Sequence, residues 1–165
     1  MNTEFKKYTS KEEALQKLKH FCSYQERCHA DVREKLYNLN VNKEFHDELV
    51  SALILENYLN EERFAKMYAS GKFRINEWGK RKIQQQLNQK QISEYCIKKA
   101  LADIDESEYL DTFQKHARKK LESLKSGNQF ERASKVNNFL FQKGFESFLI
   151  QQFIKENLTE KIAKK

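Results

Sequence analysis

Proline is absent from this chain of 165 residues, and glycine occurs only four times. At ordinary usage a chain of this length would hold roughly eight prolines. β-Sandwiches and β-barrels need many turns rich in these two residues, and collagen-like or Pro-rich proteins need still more, so these classes are excluded. Because 39% of the residues are hydrophobic and 33% are charged, the composition predicts an all-α protein.

Long apolar runs and an even set of cysteines are also lacking. No apolar run approaches the ~20 residues of a membrane-spanning helix, and the first residues, MNTEFKKYTSKEE, do not include the apolar stretch of a signal peptide. The three cysteines, Cys22, Cys28 and Cys96, favour reduced thiols over a disulfide framework. These features predict a cytoplasmic protein that does not associate with a membrane.

Sequence motifs of catalysis and cofactor binding are missing as well. Gly71 and Gly79 are isolated and match no phosphate-binding loop, and no serine lies in a nucleophile elbow. One group of potential zinc ligands is close in sequence, but its Cys-x5-Cys spacing fits no usual zinc finger: His20, Cys22, Cys28 and His29. We therefore expect no catalytic residue, no cofactor and no metal.

A pattern of apolar residues occurs three times, at offsets of 51 and 53 residues. In each copy an apolar pair at i, i+4 precedes a break, and a second stripe at i, i+4, i+8 and i+9 follows it. Such spacings place the apolar residues on one face of each of two helices. The copies read Val32-x3-Leu36-x4-Val41-x3-Phe45-x3-Leu49-Val50, Ile83-x3-Leu87-x4-Ile92-x3-Cys96-x3-Ala100-Leu101 and Val136-x3-Leu140-x4-Phe145-x3-Leu149-x3-Phe153-Ile154.

A further amphipathic helix precedes each pair, so each copy is predicted to be a three-helix repeat. The repeats are expected over 10–57, 58–104 and 105–157, with tails at 1–9 and 158–165. A three-helix unit buries little surface alone, so the copies should stack end to end into an elongated molecule. Capping-box spacings predict helix starts at Ser10, Ser23 and Asn128, and Asn60 predicts another. Residues 70–79 and 126–128 are expected to be loose connections.

Other details of the helices are also predicted by residue type. The upstream helix of the third copy should bury an apolar face made of Leu110, Phe113, Ala117, Leu121 and Leu124. The residues just before the three breaks are Asn40, Gln91 and Gly144; Asn and Gly tolerate the left-handed conformation that ends helices, and Gln fits less well.

Positive charge is concentrated in the middle repeat. Its net charge is +5, against −2 for the first repeat and +1 for the third, and residues 72–90 hold a single carboxylate, Glu77. On a helix from about 79 to 90, Ile83 and Leu87 point inward, and the outward side carries only Arg, Gln and Asn. These groups can reach phosphates, base edges or a partner's carbonyls. The candidate binding residues are Lys72, Arg74, Trp78, Lys80, Arg81, Lys82, Gln84, Gln85 and Asn88.

Two alternatives in which these residues bind no partner remain open. A lysine-rich helix face is often only solvated. Trp78 and Phe73 could stack on a base or anchor an interface, but they could equally pack in the core.

Three segments resemble the signatures of the RecX family. The middle one runs Leu59-Asn-Glu-Glu-Arg63-Phe64-Ala65, then Tyr68-Ala-Ser-Gly71-Lys72-Phe73-Arg74 and Trp78-Gly79-Lys80-Arg81-Lys82-Ile83. The others are Ser23-Tyr-Gln-Glu26-Arg27-x4-Val32-x-Glu34-Lys35-Leu36 and Lys143-Gly144-Phe145. This chain departs from the family pattern at Asn40 and Gln91, where Gly is frequent, and at Lys80, where proline is common.

The resemblance implies three tandem three-helix repeats in an elongated, curved molecule. It also implies a cytoplasmic, non-enzymatic regulator that binds the RecA–single-stranded DNA filament and usually inhibits the recombinase in DNA repair and recombination. Direct contact with single- or double-stranded DNA stays open, and a monomer is expected. The alternative is a helix-turn-helix-like transcription regulator. Three similar repeats without a dimerisation helix favour a linear ligand over a palindromic operator.

Overall fold

The computed structural model describes residues 7–159, and this part of the chain is all-α, with nine α-helices and no strand. A 3₁₀ turn (Lys43–Phe45) precedes the third helix, and a π-helical turn (Lys155–Thr159) follows the ninth. The helices are α1 (Lys11–Tyr24), α2 (His29–Asn38), α3 (His46–Leu55), α4 (Glu61–Asn76), α5 (Lys80–Gln89), α6 (Glu94–Ala102), α7 (Glu106–Ser123), α8 (Gln129–Lys143) and α9 (Ser147–Ile154). We call α1–α3 the first unit, α4–α6 the middle unit and α7–α9 the third unit. Most of the two predicted tails, at 1–6 and 160–165, lies outside the described residues.

Side-chain caps define most of the predicted helix starts. The Ser10 hydroxyl accepts a hydrogen bond from the Glu13 backbone N–H at 3.2 Å, and Asn60 caps α4 in the same way. Asn128 and Glu131 form the predicted capping box of α8. These bonds satisfy backbone donors that have no partner inside the helix.

The start predicted at Ser23 is wrong, because Ser23 lies inside the last turn of α1. The following helix is capped instead by Cys28, whose backbone N–H donates to the Asp31 carboxylate at 3.0 Å. The acceptor here is an acidic side chain three residues into the helix, where the helix dipole also favours negative charge.

The loose connection predicted over 70–79 is also wrong for most of its length. Helix α4 continues through Gly71 and ends at Asn76, and Glu77 then adopts the left-handed conformation with φ 53°. One glycine costs a helix only about 1 kcal/mol, and the turn that follows Gly71 buries Phe73. The connection predicted at 126–128 is confirmed, since α7 ends at Ser123 and α8 begins at Gln129.

All three corners of the apolar pattern have the same backbone geometry. Asn40, Gln91 and Gly144 have φ of 52°, 59° and 96°. In each copy the N–H that follows the corner reaches back to a carbonyl five residues earlier, as in a Schellman ending. Gln91 therefore adopts the left-handed conformation although its residue type disfavours it. The repeated hydrogen-bond pattern, rather than the residue at the corner, defines this turn.

The middle and third units share one continuous hydrophobic core, while most of the first unit packs around a core of its own. All residues of the threefold apolar pattern are buried or half-buried. One predicted core residue is wrong: Leu110 is 37% exposed, and its neighbour Tyr109 is buried instead. Cys28 and the half-buried Ala30 are the exceptions near the start of α2, because they pack against the shared core.

Two glycines bring the middle and third units into backbone contact. The Gly79 N–H donates to the Lys143 carbonyl at 2.8 Å, and the Arg81 N–H donates to the Gly144 carbonyl at 3.0 Å. A Cβ on Gly79 would lie 2.2 Å from the Gly144 carbonyl carbon. The start of α5 is therefore seated on the corner between α8 and α9, a contact that we call the glycine joint (Gly79–Arg81 against Lys143–Phe145).

Candidate functional site

The first turn of α5 forms part of the glycine joint. The Lys80 backbone N–H donates to the Tyr109 hydroxyl at 2.9 Å, and the Lys80 ammonium lies 2.9 Å from the Glu106 carboxylate. A proline at position 80 could not make that backbone hydrogen bond. Lys80 therefore has a structural role between the units.

Arg81 lies on the outward side of α5, as the helical periodicity predicted, but the third unit holds its side chain. Its guanidinium lies 3.7 Å from the centre of the Phe141 ring, and its Nη1 donates to the Phe141 carbonyl at 3.2 Å. The prediction placed Arg81 relative to the apolar face of α5 alone. Periodicity within α5 gives no information about the third unit, which packs beside the first turn of this helix.

Tyr109 is a residue of the joint that sequence reasoning missed. Its hydroxyl accepts from Lys80 and donates to the Glu146 carboxylate at 2.5 Å. Burial, together with the hydrogen bond to Glu146, raises the pKa of Tyr109 far above its ordinary value, so the hydroxyl keeps its proton. No spacing in the sequence indicated this role, because the hydroxyl and its two partners come from three separate stretches of the chain.

Trp78 lies between two lysine side chains. The ammonium groups of Lys72 and Lys82 lie 4.9 Å and 4.3 Å from the indole, within the range of cation–π attraction. Neither lysine forms an ion pair with a carboxylate within residues 7–159. The half-buried indole therefore positions two uncompensated positive charges at the surface. Phe73, the other aromatic candidate, is a core residue and only 4% exposed.

Arg74 lies on α4, apart from these lysines in its contacts. Its side chain is 68% exposed, and its Nη2 is 3.9 Å from the Glu108 carboxylate of α7. An exposed pair at that distance contributes little to stability, so Arg74 remains able to exchange this partner for another anion.

Amide side chains form most of the exposed face of α5. The side-chain amides of Gln84, Gln85 and Asn88 make no hydrogen bond to another described residue, and together with Arg81 and Gln89 they line a shallow open hollow. No carboxylate lines that hollow. We call Lys72, Lys82, Gln84, Gln85 and Asn88 the α5 face. It offers two positive charges and three amides to a partner.

The described part of the chain has no helix that is both long and apolar enough to cross a membrane. It also holds no cluster of three or more His, Cys, Asp or Glu side chains that could bind a metal ion. Fold and surface together define a protein of tandem three-helix units, in which a cationic, amide-rich helix face is available to a partner.

Comparison with known proteins identifies the family. Two family models, described as the second and third three-helix domains of RecX, match residues 60–101 and 106–154. The chain belongs to the RecX family.

The curated relatives support this assignment. The regulatory protein RecX of Oceanobacillus iheyensis is 28% identical over 137 residues, which cover 83% of this chain and 50% of the relative. That of Clostridium perfringens is 30% identical over 118 residues, or 70% of this chain and 55% of the relative. The chain spans about half the length of the curated relatives that it matches.

Solved structures share the fold. The crystal structure of RecX from Lactobacillus salivarius matches with a TM-score of 0.79 at 21% identity, covering 88% of this chain and 94% of that one. A second crystal structure, of a regulatory protein RecX, matches with a TM-score of 0.74 at 24% identity, covering 90% and 73%.

Proposed function

We propose that this protein binds the filament of the RecA recombinase on single-stranded DNA and limits the activity of the recombinase. Family membership supports a regulatory role. The observation that carries the proposed contact is the α5 face, which holds two lysines without carboxylate partners and three amides without partners among the described residues.

The chemistry of the α5 face suits a filament groove that combines DNA phosphates with acidic protein surface. Lys72 and Lys82 supply charge that attracts either kind of anion. The amides of Gln84, Gln85 and Asn88 donate and accept hydrogen bonds, so they can pair with phosphates or with backbone carbonyls. The three consecutive three-helix units suit a linear ligand, and the protein acts by occupying the filament, without a catalytic step or a cofactor. Such a protein works in the cytoplasm as a monomer.

The function is tested by the ATPase rate of a RecA recombinase on single-stranded DNA, measured with and without this protein. We expect the rate to fall as the protein is added and the protein to sediment with the filaments. An unchanged rate together with no co-sedimentation would overturn the proposal.

The alternative, a transcription regulator that reads duplex DNA with α5, has less support. Arginine is the residue best suited to read guanine in the major groove, and Arg81 is engaged by Phe141 in the glycine joint. Sequence-specific binding to duplex DNA in the absence of recombinase would favour this alternative.

A further inference from the structure

A hollow on the surface of the first unit is far more apolar than the one on α5. It has a volume of about 470 Å³ and lies between the end of α1 and the helix α2. Three of its lining residues bear rings and come from the last two turns of α1, namely His20, Phe21 and Tyr24. The α5 face lies on the middle unit, so this hollow on the first unit is a separate candidate site.

The rings of the hollow differ in how firmly they are held. Phe21 is half-buried and packs against the core of the first unit. The Arg27 guanidinium lies 3.9 Å from the centre of the Phe21 ring, and its Nε donates to the Phe21 carbonyl at 3.4 Å. Tyr24, by contrast, is 80% exposed. The hollow therefore has a fixed floor and one aromatic ring open to a ligand.

The charged side chains that line the hollow are all cationic, while Asp31 and Glu34 line an adjoining hollow that shares Phe21, Arg27 and Lys35. The cations of the apolar hollow itself are Lys17, Arg27 and Lys35, and none of the residues that line it is acidic. Lys17 forms an ion pair with Glu13 at 2.7 Å, whereas Arg27 and Lys35 have no carboxylate partner among residues 7–159. The Lys35 ammonium lies 5.4 Å from the Phe21 ring. The complementary ligand is flat, apolar in part and anionic.

We propose that this hollow binds one unstacked base of a single-stranded nucleic acid. The base stacks on Tyr24, and its neighbouring phosphates lie against Arg27 and Lys35. An exposed aromatic ring beside a cationic groove is the arrangement by which proteins bind single strands without sequence preference. This inference does not depend on the α5 face or on a recombinase, because it concerns naked nucleic acid and a different unit.

The experiment compares two fluorescein-labelled strands of equal length, an oligothymidylate and an abasic strand with the same number of phosphates. Electrostatic attraction is equal for both, so a difference in affinity measured by anisotropy reports base stacking. We expect the wild-type protein to bind the oligothymidylate about 5- to 150-fold more tightly, as stacking of one base predicts. Tyr24→Ala should abolish this preference.

The matched control is Tyr95→Ala on α6. Tyr95 is 61% exposed, and the Lys99 ammonium lies 5.5 Å from its ring, so it resembles Tyr24 in its exposure and in having cations nearby. Tyr95→Ala should keep the preference for bases. Lys35→Gln should keep it too, while reducing the slope of log affinity against log salt by about 0.7, the loss of one phosphate contact.

Two results would overturn the proposal. The first is a preference for bases that survives Tyr24→Ala. The second is the absence of any preference in the wild-type protein while an acidic peptide with an aromatic residue binds in a Tyr24-dependent way, since the hollow would then be a docking site for protein.

Discussion

At the scale of single residues, the two glycines of the joint are the positions where the backbone leaves no room for a side chain. A Cβ on Gly79 would lie 2.2 Å from the carbonyl carbon of Gly144, and one on Gly144 would lie 2.3 Å from the Cβ of Lys82. Gly144 also has φ of 96°, a conformation that residues with side chains rarely adopt. Both contacts are with backbone or Cβ atoms, so no flexible group can move aside.

We predict that Gly79→Ala and Gly144→Ala each lower the free energy of unfolding by about 3 kcal/mol, because the units must separate to admit the methyl group. Gly71→Ala is the control. Gly71 is helical, and a methyl group placed there would meet nothing within 4 Å, so that change should stabilise by about 0.5–1 kcal/mol. Urea denaturation measures all three, and equal stability of Gly79→Ala and wild type would contradict the glycine joint.

The residues that the sequence predicted correctly are those whose partners lie within the same three helices. Burial of Ile83 and Leu87 follows from their spacing alone. The contacts of Arg81 and Tyr109 were not predicted because their partners come from another unit, and periodicity contains no information about such neighbours. Phe113 and Ala117 of α7 are buried as predicted. The residue four positions before Phe113 is Tyr109, so Tyr109 takes the place predicted for Leu110 and its hydroxyl lies at the joint.

At the scale of helices, α5 and α8 occupy equivalent positions in the repeat. Leu87 and Leu140 lie at the same place in the apolar pattern, and both are fully buried. We predict that Leu87→Ala and Leu140→Ala each cost about 2–5 kcal/mol of unfolding free energy, while Gln85→Ala on the exposed side of α5 stays within about 0.5 kcal/mol. A leucine variant that melts like the wild type would show that the two helices are not in the same register.

The end of α4 contacts α7 through charged groups that titrate. The Glu77 carboxylate lies 2.5 Å from the Lys115 ammonium and 2.7 Å from His116 Nε2. Burial, reinforced by the charge of Lys143, lowers the pKa of His116 below 6.5. The hydrogen bond from Lys115 lowers the pKa of Glu77 below 4.5.

Both shifts make the protein less stable in acid. Below pH 6.5 the unfolded chain protonates His116 more readily than the folded one, so stability falls with pH from there downward. Stabilisation by ionised Glu77 is lost later, as the pH falls below 4.5. We predict that His116→Gln reduces the difference in melting temperature between pH 7.5 and about pH 5.5. The same difference in the variant and the wild type would exclude His116 as the group responsible.

The helix ends show what local sequence can and cannot specify. Ser10, Asn60 and Asn128 cap helices with their own side chains, so their residue types predicted these starts. Cys28 is an unusual N-cap residue. The start of α2 depends on the hydrogen bond from the Cys28 N–H to the carboxylate of Asp31, three residues further along the chain. Gly71 suggested a break, but the cost of one glycine is smaller than the gain from burying the next turn of α4.

At the scale of the whole molecule, the shared core makes the middle and third units one body, and two ion pairs join the first unit to it. Arg63 Nε lies 2.6 Å from the Glu26 carboxylate, and the Lys90 ammonium lies 3.5 Å from Asp31. Cys28 adds an apolar contact at the same boundary. Consecutive units therefore contact one another in chain order.

We predict that this arrangement is longer than a globule of equal mass. Small-angle X-ray scattering should give a radius of gyration clearly above roughly 15 Å, the value of a compact chain of this length. A radius near that compact value would contradict end-to-end stacking.

The central claim, that the α5 face binds the recombinase filament, requires variants that leave the glycine joint intact. Lys80 and Arg81 are unsuitable, since both hold the third unit. Gln84, Gln85 and Asn88 are exposed, so their combined replacement by Glu should leave the melting temperature nearly unchanged. The matched control places three Glu on the exposed side of α8, the equivalent helix, at Ser134, Asn138 and Gln142.

The most direct measurement is the affinity of these two variants and the wild type for recombinase filaments on single-stranded DNA, at low and moderate salt. We predict that the α5 variant binds at least about tenfold more weakly, with the larger loss at low salt, where repulsion by the new carboxylates is least screened. The α8 variant should bind like the wild type. Wild-type affinity in a folded α5 variant, or an equal loss in both variants, would contradict the α5 face as the contact with the filament.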